Sequence, residues 1–251
     1  MIKAVLMDID DTLLDFGLSA RASMQQAFAE YALPFSERAY AVFTHINDNL
    51  WRQLERGELT AQELFARRWN MIFSALGLQA DGPAFEQRFL ALLHSTAIPV
   101  AGAVDLCRYL SSRYTLCAAS NAFHDQQVNR LTIAGLMPYF SHVFVSETLG
   151  YRKPQKEFFD ACLARLPGVA ASECVMIGDS LSADIAGGKN AGMKTIWYNH
   201  AHRPVPEHCE ADQTVGSLRE IKALLSSQEI ISAPTLYSQP LSPREAVHFV
   251  K

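Results

Sequence analysis

The sequence lacks the features that mark membrane, secreted and nucleic-acid-binding proteins. No apolar run is long enough to span a bilayer, and residues 2–7 form too short a run, too soon followed by acids, for a signal peptide. The net charge of −4 comes with no long basic run, which argues against nucleic acid polymers and anionic membranes as partners. We therefore expect a globular protein that binds neither.

The sequence also lacks paired cysteine spacings. Its five cysteines are an odd number, and none occur as Cys-x-x-Cys. Cys117 and Cys174 lie in apolar, strand-like runs, where a buried thiol behaves as a small apolar side chain. A reduced protein of the cytoplasm is the simplest interpretation. The length of 251 residues suits one large domain or a core with a smaller one, and the oligomeric state stays open.

A long helical segment follows the first predicted strand. Residues 2–7 are mostly apolar and predict a buried strand. Residues 17–96 then favour helix, with a capping-box pattern at Thr60. The apolar spacing predicts helices over 19–31, 36–54, 60–76 and 85–93. We expect a helical bundle inserted into the fold after the first strand.

Strands and helices alternate after Pro99. The pattern predicts strands over 114–119, 142–146, 174–177 and 195–198, and helices over 104–110, 125–134, 156–166 and 183–191. This alternation indicates an α/β fold with a doubly wound parallel sheet, built from residues 1–16 and 97–225. Ligands of such sheets bind beyond the carboxyl ends of the strands. Residues 226–251 form a tail to which we assign neither an element nor a role.

Two acidic residues follow the first strand. Asp8 and Asp10 leave it on the same side, because residues two apart in an extended chain point the same way. Carboxylates held together repel each other and lose solvation unless a cation or a shared proton compensates. The arrangement suits a nucleophile, a proton donor and a divalent metal. By itself, a solvated turn at Asp11 and Thr12 is an equally good interpretation.

Further candidate residues follow the later strands. Ser120 ends one predicted strand, although a turn serine is the simpler interpretation when it is taken alone. Lys153 precedes Pro154, which disfavours helix there and leaves the ammonium near the sheet edge. A solvated surface lysine is the alternative, and Arg152 is the competing candidate for the same role.

The last predicted site lies after the strand over 174–177. Gly178 would let the backbone turn tightly, so that Asp179 faces Asp8. Asp184 comes five residues after Asp179 and could orient metal-bound water or pair with Lys153. An acidic residue is also favoured near a helix start without any further role.

Taken together, these segments resemble the motifs of the haloacid dehalogenase-like (HAD) hydrolase superfamily, most of whose members are phosphatases. The matching residues, in the expected order, are Asp8-x-Asp10-x-Thr12, Ser120-Asn121, Lys153-Pro154, and Gly178-Asp179 followed by Asp184. Ala122 is a minor departure, since members often carry Gly there. The resemblance extends to about residue 225 and implies a Rossmann-like HAD core with an inserted helical type 1 cap.

The resemblance also implies a magnesium-dependent phosphatase mechanism. The Asp8 carboxylate, the Asp10 carbonyl and the Asp179 carboxylate would hold Mg²⁺. Asp8 would attack phosphorus to form an aspartyl-phosphate, while Asp10 would protonate the leaving alcohol and then activate water. Ser120 and Lys153 would stabilise charge on the phosphoryl oxygens.

Residues 47–69 contain segments that resemble the lid of house-cleaning pyrimidine nucleotidases. The resemblance implies a small phosphorylated metabolite as substrate, a nucleoside 5′-monophosphate. Trp51 would stack on a base, and Arg68 would bind phosphate or a base edge. Packing of the bundle by its tryptophans is an equally good interpretation. Thr12 and Asn121 are further expected substrate contacts.

Other functions stay open at this stage. Sugar phosphates, phosphoglycolate and flavin mononucleotide are alternative substrates, and a phosphomutase is an alternative reaction. A dehalogenase fits less well because that chemistry lacks the second acid, Asp10. A phosphorylation-controlled receiver domain also fits less well, because its phosphorylated aspartate would follow a later strand and no helical insert would split the domain.

Overall fold

The structure is a computed structural model that describes residues 1–227. The predicted tail, 226–251, lies outside the described residues apart from its first two. The elements are, in chain order, β1 (Ala4–Met7), α1 (Phe16–Glu30), α2 (Glu37–Glu55), α3 (Ala61–Leu76), α4 (Gly82–His94), α5 (Ala103–Ser111), β2 (Thr115–Ser120), α6 (His124–Ile133), β3 (His142–Val145), α7 (Ser146–Leu149), α8 (Lys156–Leu163), β4 (Cys174–Gly178), α9 (Ala186–Asn190), β5 (Lys194–Tyr198), β6 (Gln213–Val215) and α10 (Leu218–Ser227).

Six parallel strands form one sheet in the order β3-β2-β1-β4-β5-β6. β1 lies between β2 and β4, and all its residues are buried. Apolar side chains fill both faces of the sheet: Val5 and Met7 pack into one cluster, Ala4 and Leu6 into the other. The predicted α/β fold with a doubly wound parallel sheet is confirmed.

The predicted elements match the observed ones to within a few residues, with differences in the second half of the chain. α8 ends at Leu163, before the predicted 166, and a helical turn over Leu181–Ile185 precedes α9 where one continuous helix is predicted. β6 is missed because its short length shows no clear alternation. α10 carries apolar residues at helical spacing, so a pattern search of that segment would have found it.

Helices α1 to α4 pack together into a bundle, hereafter the cap, around buried aromatic side chains. Trp69 lies among Phe43, Phe85 and Phe89, with ring centroids between 4.4 and 5.6 Å away. The capping box predicted at Thr60 is present at the start of α3. The four predicted helices of this segment are confirmed. Within residues 1–227, no helix has the length and apolar character needed to cross a membrane.

Two chain segments join the cap to the sheet, and they lie side by side. Leu14 pairs with Pro99 in an antiparallel bridge. Asp15 N–H donates to the carbonyl of Ile98 at 2.8 Å, immediately before α1 begins. Both connecting segments therefore pass close to the carboxyl end of β1, where the predicted site lies.

Candidate active site

The strand register brings the predicted residues to one edge of the sheet. The last residue of β1 lies level with Ala118 of β2 and Ile177 of β4. Asp8, Ser120 and Asp179 therefore leave three adjacent strands at the same edge. Asp8 and Ser120 are both more than nine-tenths buried. The predicted convergence of these strand ends is present in the structure.

The Lys153 ammonium is fully engaged at this edge. Its Nζ donates to Asp8 Oδ1 at 2.6 Å, to Asp184 Oδ1 at 2.7 Å and to the carbonyl of Ala119 at 2.7 Å. An ammonium has three donors, so every one is used. Lys153 is buried, which is tolerable because opposite charges lie next to it. The structure thus pairs Lys153 with Asp184, one of the two alternatives predicted for that acid.

The loop that carries Lys153 is held by Asn121. The Asn121 side chain donates to the carbonyl of Lys153 at 2.9 Å and accepts from its N–H at 2.8 Å. Asn121 was expected to contact substrate, and the structure instead uses its amide to hold this loop. Arg152 is directed elsewhere, because its Nη1 donates to the carbonyl of Leu54 in α2 at 3.0 Å. The geometry therefore favours Lys153 over Arg152.

Three carboxylates converge beside the lysine. One oxygen from each of Asp8, Asp179 and Asp184 lies within 4.8 Å of the others. Asp184 also accepts a hydrogen bond from the N–H of Ser180 at 3.1 Å. A Cβ on Gly178 would lie 2.8 Å from the Cβ of Asp184 and nearer still to its carboxyl group. Gly178 is therefore required for this close approach, and not for a left-handed turn.

Burial makes these carboxyl groups hard to ionise together. It raises the pKa of Asp8 from 3.8 to about 8, even though Lys153 opposes the shift, and Asp184 adds to it. Burial, with the charges of Asp8 and Asp184, raises the pKa of Asp179 well above its ordinary value. Burial lowers the pKa of Lys153, but the charges of Asp184 and Asp8 outweigh it, so the net shift is upward. Lys153 pairs with Asp8 and Asp184, and Arg203 Nη2 lies 3.5 Å from Asp179 Oδ2. Three carboxyl groups therefore face two cationic side chains, and a metal ion would neutralise the remaining negative charge.

Asp10, the predicted proton donor, makes a different set of contacts. Arg130 Nη1 donates to its Oδ1 and Gln127 Nε2 to its Oδ2, both at 2.6 Å. Gln127 Nε2 also lies 2.9 Å from Ser120 Oγ. Sequence analysis missed both α6 residues, because a glutamine and an arginine three apart on a helix are typical of a solvated face. The sequence around Gln127 and Arg130 does not reveal that their partner is Asp10, which lies more than a hundred positions earlier.

The cap contacts the sheet edge next to these residues. Ser182 Oγ donates to Glu55 Oε2 of α2 at 2.8 Å. Phe65 of α3 packs against Phe123, with ring centroids 5.8 Å apart. Burial raises the pKa of Glu55, and the nearby negative charge of Asp184 raises it further. The C-terminal end of α2 therefore lies beside the site.

The structure does not support the expected phosphate contact of Arg68. Its side chain is 2% exposed and forms a two-bond ion pair with Glu86 of α4. Its Nη1 also donates to Asn47 Oδ1 at 2.8 Å. Arg68 is therefore part of the cap interior, where it joins three helices. Trp51 is half-buried beside a small apolar cluster of α2 and α3, and its stacking on a base stays a prediction.

Thr12 also differs from its expected role. Its side chain is fully buried, so it presents no surface to a substrate in this structure. Its Oγ1 has no hydrogen-bond partner among residues 1–227. The turn that it belongs to leads into the cap, since Asp11 Oδ1 accepts the N–H of Phe16 at 3.0 Å. Asp11 has a φ of 56°, a conformation that aspartate tolerates better than most residues.

The parallel α/β core places carboxylates and a lysine together at its strand ends, beside a helical cap, an arrangement that suits nucleophilic chemistry at a metal. The sequence pattern of the haloacid dehalogenase-like hydrolases matches residues 2–192. The chain belongs to this family. The predicted family and the prediction of a HAD-like enzyme are thereby confirmed.

Several relatives are similar over nearly their whole length. The HAD-hydrolase YfnB of Bacillus subtilis is 34% identical over 92% of this chain and 98% of its own. The pyrimidine 5′-nucleotidase PynA of Streptococcus pneumoniae is 37% identical over 84% of this chain and 89% of its own. The pyrimidine 5′-nucleotidase YjjG of Escherichia coli is 30% identical over 88% of this chain and 96% of its own. The crystal structure of YfnB bound to magnesium aligns with a TM-score of 0.85, covering 89% of this chain and 98% of that one.

Proposed function

We propose that this enzyme is a magnesium-dependent phosphomonoester hydrolase that acts through an aspartyl-phosphate on Asp8, with a nucleoside 5′-monophosphate as substrate. The observation that carries the proposal is the contact between the buried Asp8 carboxylate and Lys153 Nζ, 2.6 Å apart at the carboxyl end of β1. This pairing offers a nucleophile next to a fixed positive charge that would stabilise negative charge on the phosphoryl group.

The residues at this edge divide the reaction between them. Asp8 would attack phosphorus in line, forming the Asp8–phosphorus bond as the bond to the leaving alcohol breaks. Asp10, whose side chain is 31% exposed, would donate a proton to that alcohol and later take one from the attacking water. Lys153 and Ser120 would stabilise the charge on the phosphoryl oxygens.

The acidic cluster fits a magnesium ion. Mg²⁺ prefers oxygen ligands, and the cluster offers carboxylate oxygens within 4.8 Å of one another together with an excess of negative charge. Asp8 and Asp179 would hold the ion, with Asp184 next to them, while the Asp10 carbonyl is expected from the family resemblance. When bound, magnesium would polarise the phosphoryl group as a Lewis acid. The magnesium in the YfnB crystal supports this assignment.

The choice of substrate rests on the relatives. Two of them, at 37% and 30% identity, are named pyrimidine 5′-nucleotidases. Trp51 is half-buried on α2, whose C-terminal end contacts Ser182 beside the acidic cluster, and its exposed part would give a base a surface to stack on. The presence of Asp10 argues against dehalogenation, since halide leaves without a proton.

The test is phosphate release from a panel of nucleotides, sugar phosphates, phosphoglycolate and flavin mononucleotide. Each is assayed with magnesium, with chelator, and with Asp8→Asn, using the exposed Asp105→Asn as the matched control. Preference for pyrimidine monophosphates, lost with chelator and with Asp8→Asn, is the expected result. Phosphate release from sugar phosphates alone would contradict the proposed nucleotide substrate. A persistent phosphoenzyme without phosphate release would favour a phosphomutase.

A further inference from the structure

A second polar group, hereafter the α6 clamp, encloses the Asp10 carboxylate. It consists of Gln127 and Arg130, which lie on one face of α6 because they are three residues apart. Arg130 Nη1 and Gln127 Nε2 each approach one oxygen of Asp10 at 2.6 Å. Both oxygens of the predicted proton donor are therefore held by one helix.

The clamp is buried and internally connected. Gln127 is 0% exposed and Arg130 1%, whereas the Asp10 side chain is 31% exposed. Arg130 Nη1 also lies 3.2 Å from Gln127 Oε1, so the two donors fix each other. Burying a guanidinium is unfavourable unless a carboxylate and hydrogen bonds compensate, and apolar replacements of such pairs are often just as stable. Stability alone is therefore a weak reason for an arginine at this position.

The clamp also reaches two neighbouring parts of the site. Gln127 Nε2 lies 2.9 Å from Ser120 Oγ, so one amide links Asp10 to the hydroxyl expected to hold a phosphoryl oxygen. Arg130 Nε donates to the carbonyl of Thr96 at 3.3 Å, in the segment by which the chain leaves the cap. The position of Asp10 is thereby tied both to the sheet edge and to the cap connection.

We propose that Gln127 and Arg130 are positioning residues for Asp10, an inference that rests on the proposed phosphatase function. They hold the carboxylate in a fixed orientation relative to Ser120. When Asp10 carries the proton for the leaving group, one oxygen exchanges its hydrogen bond from the clamp for that proton, and the clamp keeps the other oxygen in place. Arg130 acts through Asp10, whereas Gln127 acts through Asp10 and also through Ser120. Misplacement of a catalytic group by about 1 Å is enough to lower a rate by about 100-fold.

The test compares two probes that differ in their need for an acid. Uridine 5′-monophosphate has a poor leaving group that needs a proton, and p-nitrophenyl phosphate has a good one that does not. We expect Arg130→Met to lower kcat/KM for uridine 5′-monophosphate by about 10- to 100-fold, with little change for p-nitrophenyl phosphate. Gln127→Leu should lower kcat/KM for both probes, and more for uridine 5′-monophosphate, because Gln127 also contacts Ser120. In an Asp10→Asn background Arg130→Met should add no further loss, because the residue through which Arg130 acts is already disabled.

The control is Asn129→Ala, on the same helix. Asn129 Nδ2 donates to the carbonyl of His94 at 2.8 Å, so it anchors the same cap connection without a contact to Asp10. It should leave the ratio of the two kcat/KM values unchanged, while Arg130→Lys should recover part of the loss in Arg130→Met. Equal losses of Arg130→Met on both probes, or a loss of Arg130→Met that adds to that of Asp10→Asn, would overturn the inference. A wild-type enzyme that releases phosphate from neither probe would overturn the proposed function as well.

Discussion

Lys153 Nζ lies 2.6 Å from Asp8 Oδ1, although the two residues are 145 positions apart in the chain. The same ammonium contacts Asp184 at 2.7 Å, so one cation is shared by two buried carboxylates. The contact forms only when β1 and the loop after β3 reach the same edge of the sheet. A substitution at Lys153 therefore tests the fold and the site together.

Lys153→Met should destabilise the protein strongly. Among residues 1–227, Lys153 is the one ammonium in contact with Asp8 and Asp184, so its removal leaves these buried carboxylates without their counter-charge. Breaking a buried pair in this way costs about 3–5 kcal/mol. Chemical denaturation without added metal measures the loss, and phosphate release should fall below detection.

Lys156→Met is the matched control for that substitution. Lys156 lies three residues further along and pairs with Asp160 at 2.7 Å, but more than half of its side chain is exposed. Exposed pairs of this kind contribute little to stability. If both substitutions lower the unfolding midpoint equally, the Lys153 pairs do not stabilise the protein in the way that the structure indicates.

Magnesium should bind more tightly as the pH rises toward 8. Burial raises the pKa of Asp8 from 3.8 to about 8 in the metal-free protein, so this carboxyl holds a proton over much of the pH range between these two values. The folded metal-free state then binds more protons than the unfolded state, and its stability falls as the pH rises through the same window. Bound magnesium needs the ionised forms of Asp8 and Asp179, and the pKa of each is raised. Binding therefore releases up to two protons, and the apparent affinity rises by up to about a hundredfold per pH unit while both groups are protonated.

Isothermal titration with magnesium at several pH values measures this linkage. Buffers that differ in ionisation enthalpy report the number of protons released on binding. The affinity should level off once both carboxyl groups are ionised. An affinity that is independent of pH between 5 and 8 would show that Asp8 is already ionised without metal, contrary to this prediction.

The sheet and its site edge were accessible to sequence analysis because buried parallel strands leave a strong signal. Each central strand is an apolar run with polar residues directly after it, as in β1 followed by Asp8 and β4 followed by Asp179. Since all carboxyl ends of a parallel sheet meet at one edge, the residues after the strands could be expected to converge. Chain order and strand pattern were sufficient for that step.

Contacts of helix side chains were not accessible in the same way. Arg130 and Arg68 are both buried arginines on amphipathic helices, yet one holds Asp10 and the other pairs with Glu86 inside the cap. Their local sequences do not distinguish these environments, because each environment is set by a partner on a distant element. The resemblance to a nucleotidase lid led to a phosphate role for Arg68 that its burial does not support.

Arg68→Met should destabilise the cap without a direct effect on phosphate binding. The substitution leaves Glu86 buried and unpaired, and burial already raises the pKa of that carboxyl against the charge of Arg68. The expected loss is about 3–5 kcal/mol, largely recovered when Glu86→Met is added, since an apolar pair of similar volume is tolerated. Chemical denaturation of the single and double variants measures the loss in the free energy of unfolding and its recovery. A rise in KM at unchanged stability would instead favour a substrate contact.

Gly178→Ala should disrupt the acidic cluster. The added Cβ would lie 2.8 Å from the Cβ of Asp184 and closer to its carboxyl, which would have to move away from Lys153. Overpacking of this kind costs about 1–3 kcal/mol, and magnesium binding should weaken because the carboxylates no longer converge. In an Asp184→Gly background the space is free, so the same substitution should lower stability much less. Losses of equal size in both backgrounds would mean that Gly178 is required for its own backbone conformation and not for the close approach of Asp184.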